Sequence, residues 1–147
     1  MNQAGDDQQS NDPVSVVRRY CEAWMAGDTV TVVATYHDHL TLTWPGRHRL
    51  AGTHVGQQAS IEALLNLQAA TNREPVEIVD VMAGEHGVIA VVRERWGRVR
   101  DNGEPESIEV TRALDFTVRD AKLATCRIFE LDQPAIDDWL GADDHAV

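Results

Sequence analysis

The most conspicuous reactive group in this sequence is the phenol of Tyr20, because it interrupts an otherwise apolar pattern. Val17, Tyr20, Cys21 and Trp24 recur at positions i, i+3, i+4 and i+7, a spacing that places them on one face of a helix. A phenol that faces the interior can donate a hydrogen bond to an oxygen on which negative charge develops. Tyr20 is therefore the first candidate for catalysis, and the alternative is a buried tyrosine bonded only to backbone.

A carboxylate, Glu130, is the second candidate. It shares one face of a predicted strand with Cys126 and Ile128, because successive side chains of a strand alternate between its two faces. If that face is inward, Glu130 lies in an apolar pocket, a setting that suits a general base or acid. If Glu130 lies at the sheet edge, it is an ordinary solvated carboxylate, and both alternatives stay open.

The elements that must position these residues form an α+β pattern. Asp12 and Pro13 are typical of a helix start and Gly27 of a helix end, and a second short helix follows. The other predicted elements are an alternating strand at His39–Trp44, a short strand around Arg49–Ala51, a helix at Gln57–Ala70, strands at Pro75–Ala83, Val88–Val99, Glu106–Val118 and Leu123–Leu131, and one or two helical turns at Pro134–Leu140. Long antiparallel strands with helices gathered on one face predict a cone-shaped curved sheet wrapped over three helices, with an apolar pocket between them.

The composition limits the class of protein. A length of 147 residues suits one domain with a real core, and the formal net charge of −11 argues against nucleic acid and anionic membrane as partners. No apolar run approaches the roughly 20 residues that span a bilayer, and the polar N-terminus lacks the apolar segment of a signal peptide, so a cytoplasmic protein is expected. The predicted organisation is a disordered tail over residues 1–11, one domain over residues 12–140 and a flexible tail over residues 141–147.

Neither a metal nor a cofactor is expected. Cys21 and Cys126 lack metal-ligand spacing, and they are too few for a disulfide framework. His37 and His39 flank Asp38, but neighbouring side chains diverge, and a metal site needs convergent ligands. The sequence contains no dinucleotide-binding fingerprint and no phosphate-binding glycine loop.

Four segments carry a resemblance to known proteins. They are VVRRYCEAWMAGD (16–28), TYHDHLTLTWPG (35–46), LAGTHVGQQASIEALL (50–65) and FTVRDAKLATCRIFELD (116–132). Together they resemble the SnoaL-like and ketosteroid isomerase-like families of the nuclear transport factor two superfamily, over about residues 13–132. The resemblance implies the cone-shaped α+β fold but no single activity, because the superfamily spans isomerases, cyclases, dehydratases, epoxide hydrolases and non-catalytic binders.

The resemblance also implies roles for individual residues. Tyr20 matches the tyrosine that donates a hydrogen bond in the oxyanion hole of ketosteroid isomerase. Trp44, before Pro45, stands where that isomerase has its general base, so ordinary steroid isomerisation by its mechanism is not expected. Leu114, or Asp115 if the register slips by one residue, aligns near the protonated aspartate of the same oxyanion hole. Against limonene epoxide hydrolase, Arg95 matches the arginine of an Asp-Arg-Asp set, but the positions of the aspartates are not acidic.

Both resemblances imply that the same face of the predicted strand Val88–Val99 points inward. Val91, Arg93 and Arg95 would then line the pocket, where a guanidinium group can bind a carboxylate or an enolate oxygen. Glu94 and Trp96 would point outward. One alternative is the opposite parity, with both arginines solvated. Another is that one arginine forms a structural ion pair with Glu130 or Asp80.

His54 completes the set of candidates, because it lies on the turn that rims the pocket in relatives. A histidine can relay protons near neutral pH, and the alternative is a histidine on a surface loop. The candidate catalytic residues are thus Tyr20, His54 and Glu130. The candidate substrate-binding residues are Trp24, Tyr36, Trp44, Val91, Arg93, Arg95, Leu114, Phe116 and Ile128.

The first functional hypothesis is a cofactor-independent enzyme that acts on a small apolar carbonyl or polyketide-like compound by proton transfer, as an isomerase, cyclase or dehydratase. Tyr20 would stabilise the oxyanion, and one of the other two candidate catalytic residues would move the proton. The alternatives are a non-catalytic small-molecule binding protein, and an epoxide hydrolase or epoxide-opening cyclase. A homodimer is expected through the outer face of the sheet, with Trp96, Thr111 and Thr117 as candidates for that face.

Overall fold

The computed structural model describes residues 11–141 and confirms an α+β fold. Within that range the elements are α1 (Pro13–Ala26), α2 (Thr29–Ala34), β1 (Tyr36–Trp44), β2 (Gly52–Val55), α3 (Gln57–Thr71), β3 (Glu74–Ala83), β4 (Val88–Val99), β5 (Pro105–Arg119), β6 (Lys122–Glu130) and α4 (Gln133–Leu140). The short strand predicted around Arg49–Ala51 lies at β2 instead, because the Ala51 amide turns back to donate to the His48 carbonyl at 2.9 Å. None of the described helices is long and apolar enough to cross a membrane. Residues 1–10 and 142–147, most of the two predicted tails, lie outside the described range.

Helix α1 begins and ends where its capping residues require. The Asp12 carboxylate accepts a hydrogen bond from the Ser15 amide at 2.9 Å, and Pro13 occupies the first turn. Gly27 ends the helix in the left-handed region, at φ 71°, where a glycine carries no steric penalty. These local signals fix the position of α1 along the chain and place Tyr20 near its middle.

The sheet is curved and unclosed, with the strand order β2-β1-β6-β5-β4-β3. Neighbouring strands are antiparallel except for β1 and β6, which run parallel. Strands β3 to β6 form a meander, as the turn signals predict. Helix α1 packs mainly against β3 and helix α3 mainly against β1, so the apolar core lies between the helices and the inner face of the sheet.

Strand β4 turns the opposite face inward from the one expected. Glu94 and Trp96 are fully buried, whereas the side chains of Arg93 and Arg95 are 40% and 51% exposed. The inward placement predicted for Val91, Arg93 and Arg95 is therefore wrong. These three residues lie on the outer face of the sheet, away from the helices.

Ion pairs on the outer face contribute to this parity. Nη1 of Arg93 lies 2.7 Å from Oε1 of Glu77 on β3, and both Arg93 and Arg95 reach Glu109 on β5, at 3.5 and 3.6 Å. Arg93 and Arg95 thus stay exposed to water and pair with carboxylates, while the apolar indole of Trp96 is buried. Because Trp96 is buried, it is also wrong as a candidate for an outer-face dimer contact, whereas the two threonines predicted with it do lie on that face.

Two glycines of β4 and its preceding turn allow a matched test of this packing. A β-carbon on Gly87 would lie 2.4 Å from the backbone oxygen of Phe116, whereas one on Gly97 would have its nearest neighbour at 3.9 Å. Gly87→Ala should therefore lower the free energy of unfolding by about 1–3 kcal/mol, because backbone must shift. Gly97→Ala should change it by less than about 1 kcal/mol. Urea denaturation measures both, and equal stabilities of the two variants would contradict the close approach of the turn to β5.

Candidate functional site

A small cavity of about 30 Å³ lies between the inner face of the sheet and the helices. Its apolar wall consists of Leu40, Leu42, Leu64, Leu114, Phe116 and Ile128. Its polar lining residues come from four different elements and one connection: Tyr20 on α1, Tyr36 on β1, Arg73 between α3 and β3, Arg112 on β5 and Cys126 on β6. Apolar walls with a few convergent polar groups are the usual lining of a small-molecule site, but a volume of about 30 Å³ admits only a small group such as a single oxygen.

A larger groove of about 290 Å³ adjoins the cavity, between helices α1 and α2 on one side and α3 on the other. Tyr36, Leu64 and Arg73 line both spaces, and we call these three residues the junction. The rest of the groove wall is mostly apolar and includes Trp24 and Ile61. A molecule too large for the cavity can therefore extend through the junction into the groove.

The phenols of Tyr20 and Tyr36 are both protonated at neutral pH. Burial raises the pKa of Tyr20 well above its ordinary value, and burial likewise raises the pKa of Tyr36 to about 12. Their ring centroids lie 6.3 Å apart, and the Tyr20 ring packs edge-on against Phe116 at 5.3 Å. Packing thus holds two hydrogen-bond donors at an apolar cavity.

A buried ion network lies beside the cavity. Arg112 donates from Nε to Oε1 of Glu130 at 3.0 Å, from Nη2 to Oε2 of the same carboxylate, and from Nη1 to Oε2 of Glu94 at 3.4 Å. The indole of Trp44 donates to Oε2 of Glu130 at 3.1 Å, and the indole of Trp96 donates to Oε1 of Glu94 at 2.9 Å. We call these five residues the ion network.

The ion network favours the charged form of Glu94 and engages both carboxylates in hydrogen bonds. Burial alone would raise the pKa of Glu94, but the guanidinium groups of Arg73 and Arg112 outweigh burial and hold that pKa below its usual value. Both oxygens of Glu130 accept hydrogen bonds from the network. Within residues 11–141, no carboxylate and no histidine lines the cavity, so the cavity wall itself offers no free base.

The three candidate catalytic residues are not brought together. Tyr20 lines the cavity, whereas Glu130 is buried inside the ion network and does not line it. His54 lies on β2, where its Nε2 is 2.9 Å from the carbonyl oxygen of Leu50, and it lines neither the cavity nor the groove. Catalytic roles for these residues stay predictions.

The predicted wall residues divide into three groups. Tyr36, Leu114, Phe116 and Ile128 line the cavity, and Trp24 lines the groove together with Tyr36. Trp44 is buried but belongs to the ion network. Val91, Arg93 and Arg95 do not belong to the wall, because they lie on the outer face of the sheet.

Sequence reasoning missed Arg73 and Arg112. A signal for Arg112 existed, because it shares its strand parity with Leu114 and Phe116 and lies opposite Glu130 in the β5–β6 register. Arg73 had no such signal, since it lies in a connection where no periodicity applies. Its position depends on the end of α3, where Asn72 adopts the left-handed conformation at φ 45°.

The HDH triplet does not form a metal site. His37 lies 3.3 Å from the carboxylate of Asp120, and His39 donates its amide to Nδ1 of His37. In the part of the chain that the structure describes, no group of three His, Cys, Asp or Glu side chains is arranged to hold a metal ion.

His48 is a buried titratable group outside the cavity. Its Nδ1 accepts a hydrogen bond from the Leu50 amide at 3.1 Å, so the proton of the neutral ring lies on Nε2. Nε2 is buried and has no hydrogen-bond partner among the described residues, and the ring lies edge-on to Trp44. Burial lowers the pKa of His48, because a charged imidazolium would lose its water.

Comparison with known proteins gives one family and a set of solved structures. The model of the SnoaL-like domain matches residues 17–125, and no curated protein matches the chain. Bal32a, from a soil-derived mobile gene cassette, is 23% identical with a TM-score of 0.74, over 90% of this chain and 98% of that chain. An NTF2-like protein from Burkholderia xenovorans LB400 is 25% identical with a TM-score of 0.69, over 90% and 97%. A structure assigned to the SnoaL-like polyketide cyclases, from Jannaschia sp. CCS1, is 19% identical with a TM-score of 0.64, over 85% and 88%.

Removing the central cation should destabilise the fold strongly. Arg112→Met leaves two buried carboxylates without their main partner, and we expect a loss of about 3–5 kcal/mol in the free energy of unfolding. The matched control is Arg93→Met, which removes a half-exposed ion pair and should cost about 0–1 kcal/mol. Urea denaturation measures both, and a loss below about 1 kcal/mol for Arg112→Met would contradict the ion network.

Acidification should destabilise the protein through His48. Its folded-state pKa lies below the ordinary value of 6.5, so the unfolded chain binds more protons as the pH falls through that value. The free energy of unfolding should therefore decline below pH 6.5, and His48→Leu should flatten this decline. His86→Leu, at an exposed turn, is the control and should leave the decline unchanged. Urea denaturation between about pH 7 and about pH 5 tests this, and parallel curves for His48→Leu and wild type would contradict it.

Proposed function

The chain belongs to the SnoaL-like domain family, and from that membership we propose that its cavity and groove bind one small, mostly apolar molecule that carries a carbonyl oxygen. The carbonyl oxygen enters the cavity and accepts a hydrogen bond from Tyr20, supported by Tyr36. The observation that carries the proposal is that two protonated phenols from different elements meet at one apolar cavity.

The chemistry that follows is polarisation of the carbonyl group. A hydrogen bond to the oxygen stabilises the negative charge that appears there when the neighbouring carbon loses a proton to water or buffer that reaches it through the groove. In a site largely screened from water this stabilisation is greater than in solution. The reaction class is therefore proton transfer next to a carbonyl, as in isomerisation, cyclisation or dehydration. The similarity to a structure assigned to the polyketide cyclases supports an oxygenated substrate of this kind.

A non-catalytic binding protein is the second candidate, and one observation favours it. Proton transfer needs a base, but no carboxylate or histidine of residues 11–141 lines the cavity, and Glu130 is held by Arg112 and Trp44. A binder needs only the apolar wall and the two phenols. The two candidates therefore differ in turnover and not in the site.

The epoxide-opening alternative loses its basis at Arg95, because that side chain is on the outer face and pairs with Glu109. The inward arginine is Arg112, which does hold two carboxylates. Neither Glu94 nor Glu130 lines the cavity, however, so neither is placed to meet an epoxide there. A homodimer through the outer sheet face and a cytoplasmic location stay predictions.

The test uses 2-acetylnaphthalene, a flat apolar ring with one methyl ketone. We expect it to bind to the wild type, and in heavy water we expect the protein to accelerate deuterium incorporation into its methyl group. Tyr20→Phe should lower the accelerated rate roughly 10²–10³-fold, as expected for loss of an oxyanion donor. Its affinity should fall by no more than about tenfold, since a neutral hydrogen bond contributes about 0.5–1.5 kcal/mol. Ring fluorescence measures binding, and mass spectrometry measures exchange.

The matched control is Cys21→Ala, on the same helix and buried, but lining neither the cavity nor the groove. It should change neither quantity. Binding without exchange would select the non-catalytic candidate. Exchange that is equal in wild type and Tyr20→Phe would remove the role of Tyr20, and absence of binding would remove the proposed site.

A further inference from the structure

Arg73 is the charged member of the junction between the cavity and the groove. Its side chain is 14% exposed, and its guanidinium lies 5.8 Å from the ring centroid of Trp24, which lines the groove. It also lines the cavity together with Tyr20 and Tyr36. A ligand that passes from the groove into the cavity therefore meets this cation.

Most of the N–H groups of Arg73 form no hydrogen bond with the described residues. Only Nη1 contacts a carboxylate, that of Glu94, and its distances of 3.4 and 3.5 Å are long for a charge-assisted hydrogen bond. Nε is buried with no partner among residues 11–141, and no hydrogen bond of Nη2 is found in the same range. Glu94 has two further donors besides Arg73, the indole of Trp96 and the guanidinium of Arg112. A buried donor without a partner in a native protein requires an explanation, and a ligand is one.

The other polar groups of the cavity are donors as well. The phenols of Tyr20 and Tyr36 are protonated, and burial raises the pKa of the Cys126 thiol to about 12, so it carries its proton too. Arg112 has no acceptor atom. The carboxylates of the ion network do not line the cavity. The guanidinium groups can only donate, whereas each neutral phenol can donate or accept, so a ligand that supplies acceptors can satisfy all of these groups. An ionised carboxylate is acceptor-only, with two coplanar oxygens that match the guanidinium fork.

We propose that the natural ligand is an apolar carboxylic acid, bound as its carboxylate by Arg73 at the junction, with its hydrocarbon part against the apolar walls. This inference rests on the proposed function, because it assigns a ligand class to the same site. It differs from that proposal in requiring a negative charge on the ligand, whereas polarisation by Tyr20 requires only a carbonyl oxygen.

The test compares 2-naphthoate with 2-naphthamide, which share one ring system and nearly one shape but differ in charge. At neutral pH the wild type should bind the acid at least about tenfold more tightly than the amide. Arg73→Gln should abolish this preference, and Arg73→Lys should restore only part of it, since an ammonium group lacks the fork. Arg93→Gln, on the outer face, is the matched control and should leave the preference unchanged. Titration calorimetry measures all affinities.

The outcomes separate this inference from the proposed function. Equal binding of acid and amide by the wild type overturns the carboxylate assignment and leaves the site itself standing; this comparison needs no variant. A preference that survives in a folded Arg73→Gln protein overturns the assignment to Arg73. Binding of neither probe, together with no binding of 2-acetylnaphthalene, overturns the proposed site and this inference with it.

Discussion

The burial of one guanidinium, that of Arg112, is the constraint on which the rest of the structure depends. A charge taken out of water is tolerated only when partners surround it, and the neighbouring strands supply them as Glu94 and Glu130. The carboxylates need further donors, which the indoles of Trp44 and Trp96 provide. The same two rings lie 5.2 and 5.5 Å from the guanidinium carbon, so they contact both signs of charge.

This requirement also specifies the register of the central strands. Arg112 lies directly opposite Glu130, and side chains alternate across a strand. A slip of one residue between β5 and β6 would turn Glu130 to the outer face and take one of its two carboxylate partners from the buried cation. An apolar core would specify the register through shape, whereas here a mismatch of charge would add a penalty of several kcal/mol.

The parts of the fold that local chemistry determines could be predicted, and the parts that depend on distant partners could not. The bounds of α1 followed from Asp12 and Gly27, and the β5–β6 hairpin followed from alternation and a turn. The inward face of β4 could not be predicted from its own sequence. One choice of face buries Arg93 and Arg95, the other buries Glu94, and so each choice buries charge. The choice depends on Arg73 and Arg112, which other elements contribute. The cavity wall was predicted only in part. Its apolar strand residues follow from the alternation of side chains, whereas residue type alone does not separate its two arginines from solvated arginines.

The ion network also determines what the cavity can do. It engages both inward carboxylates of β4 and β6, so the groups left at the cavity are two phenols, a thiol and guanidinium nitrogens. Such a wall favours a ligand oxygen, neutral or charged, because the guanidinium groups can only donate and the phenols can donate as well. The ion network also separates two tasks that a proton-transfer enzyme must combine. Stabilising an oxyanion needs donors in a dry site, which this fold provides, whereas removing a proton needs a free base, which the network withholds by pairing Glu130. Turnover in this chain therefore depends on a base from outside the cavity wall, which is water or buffer, Glu130 when a substrate draws it away from Arg112, or a basic group of the substrate itself.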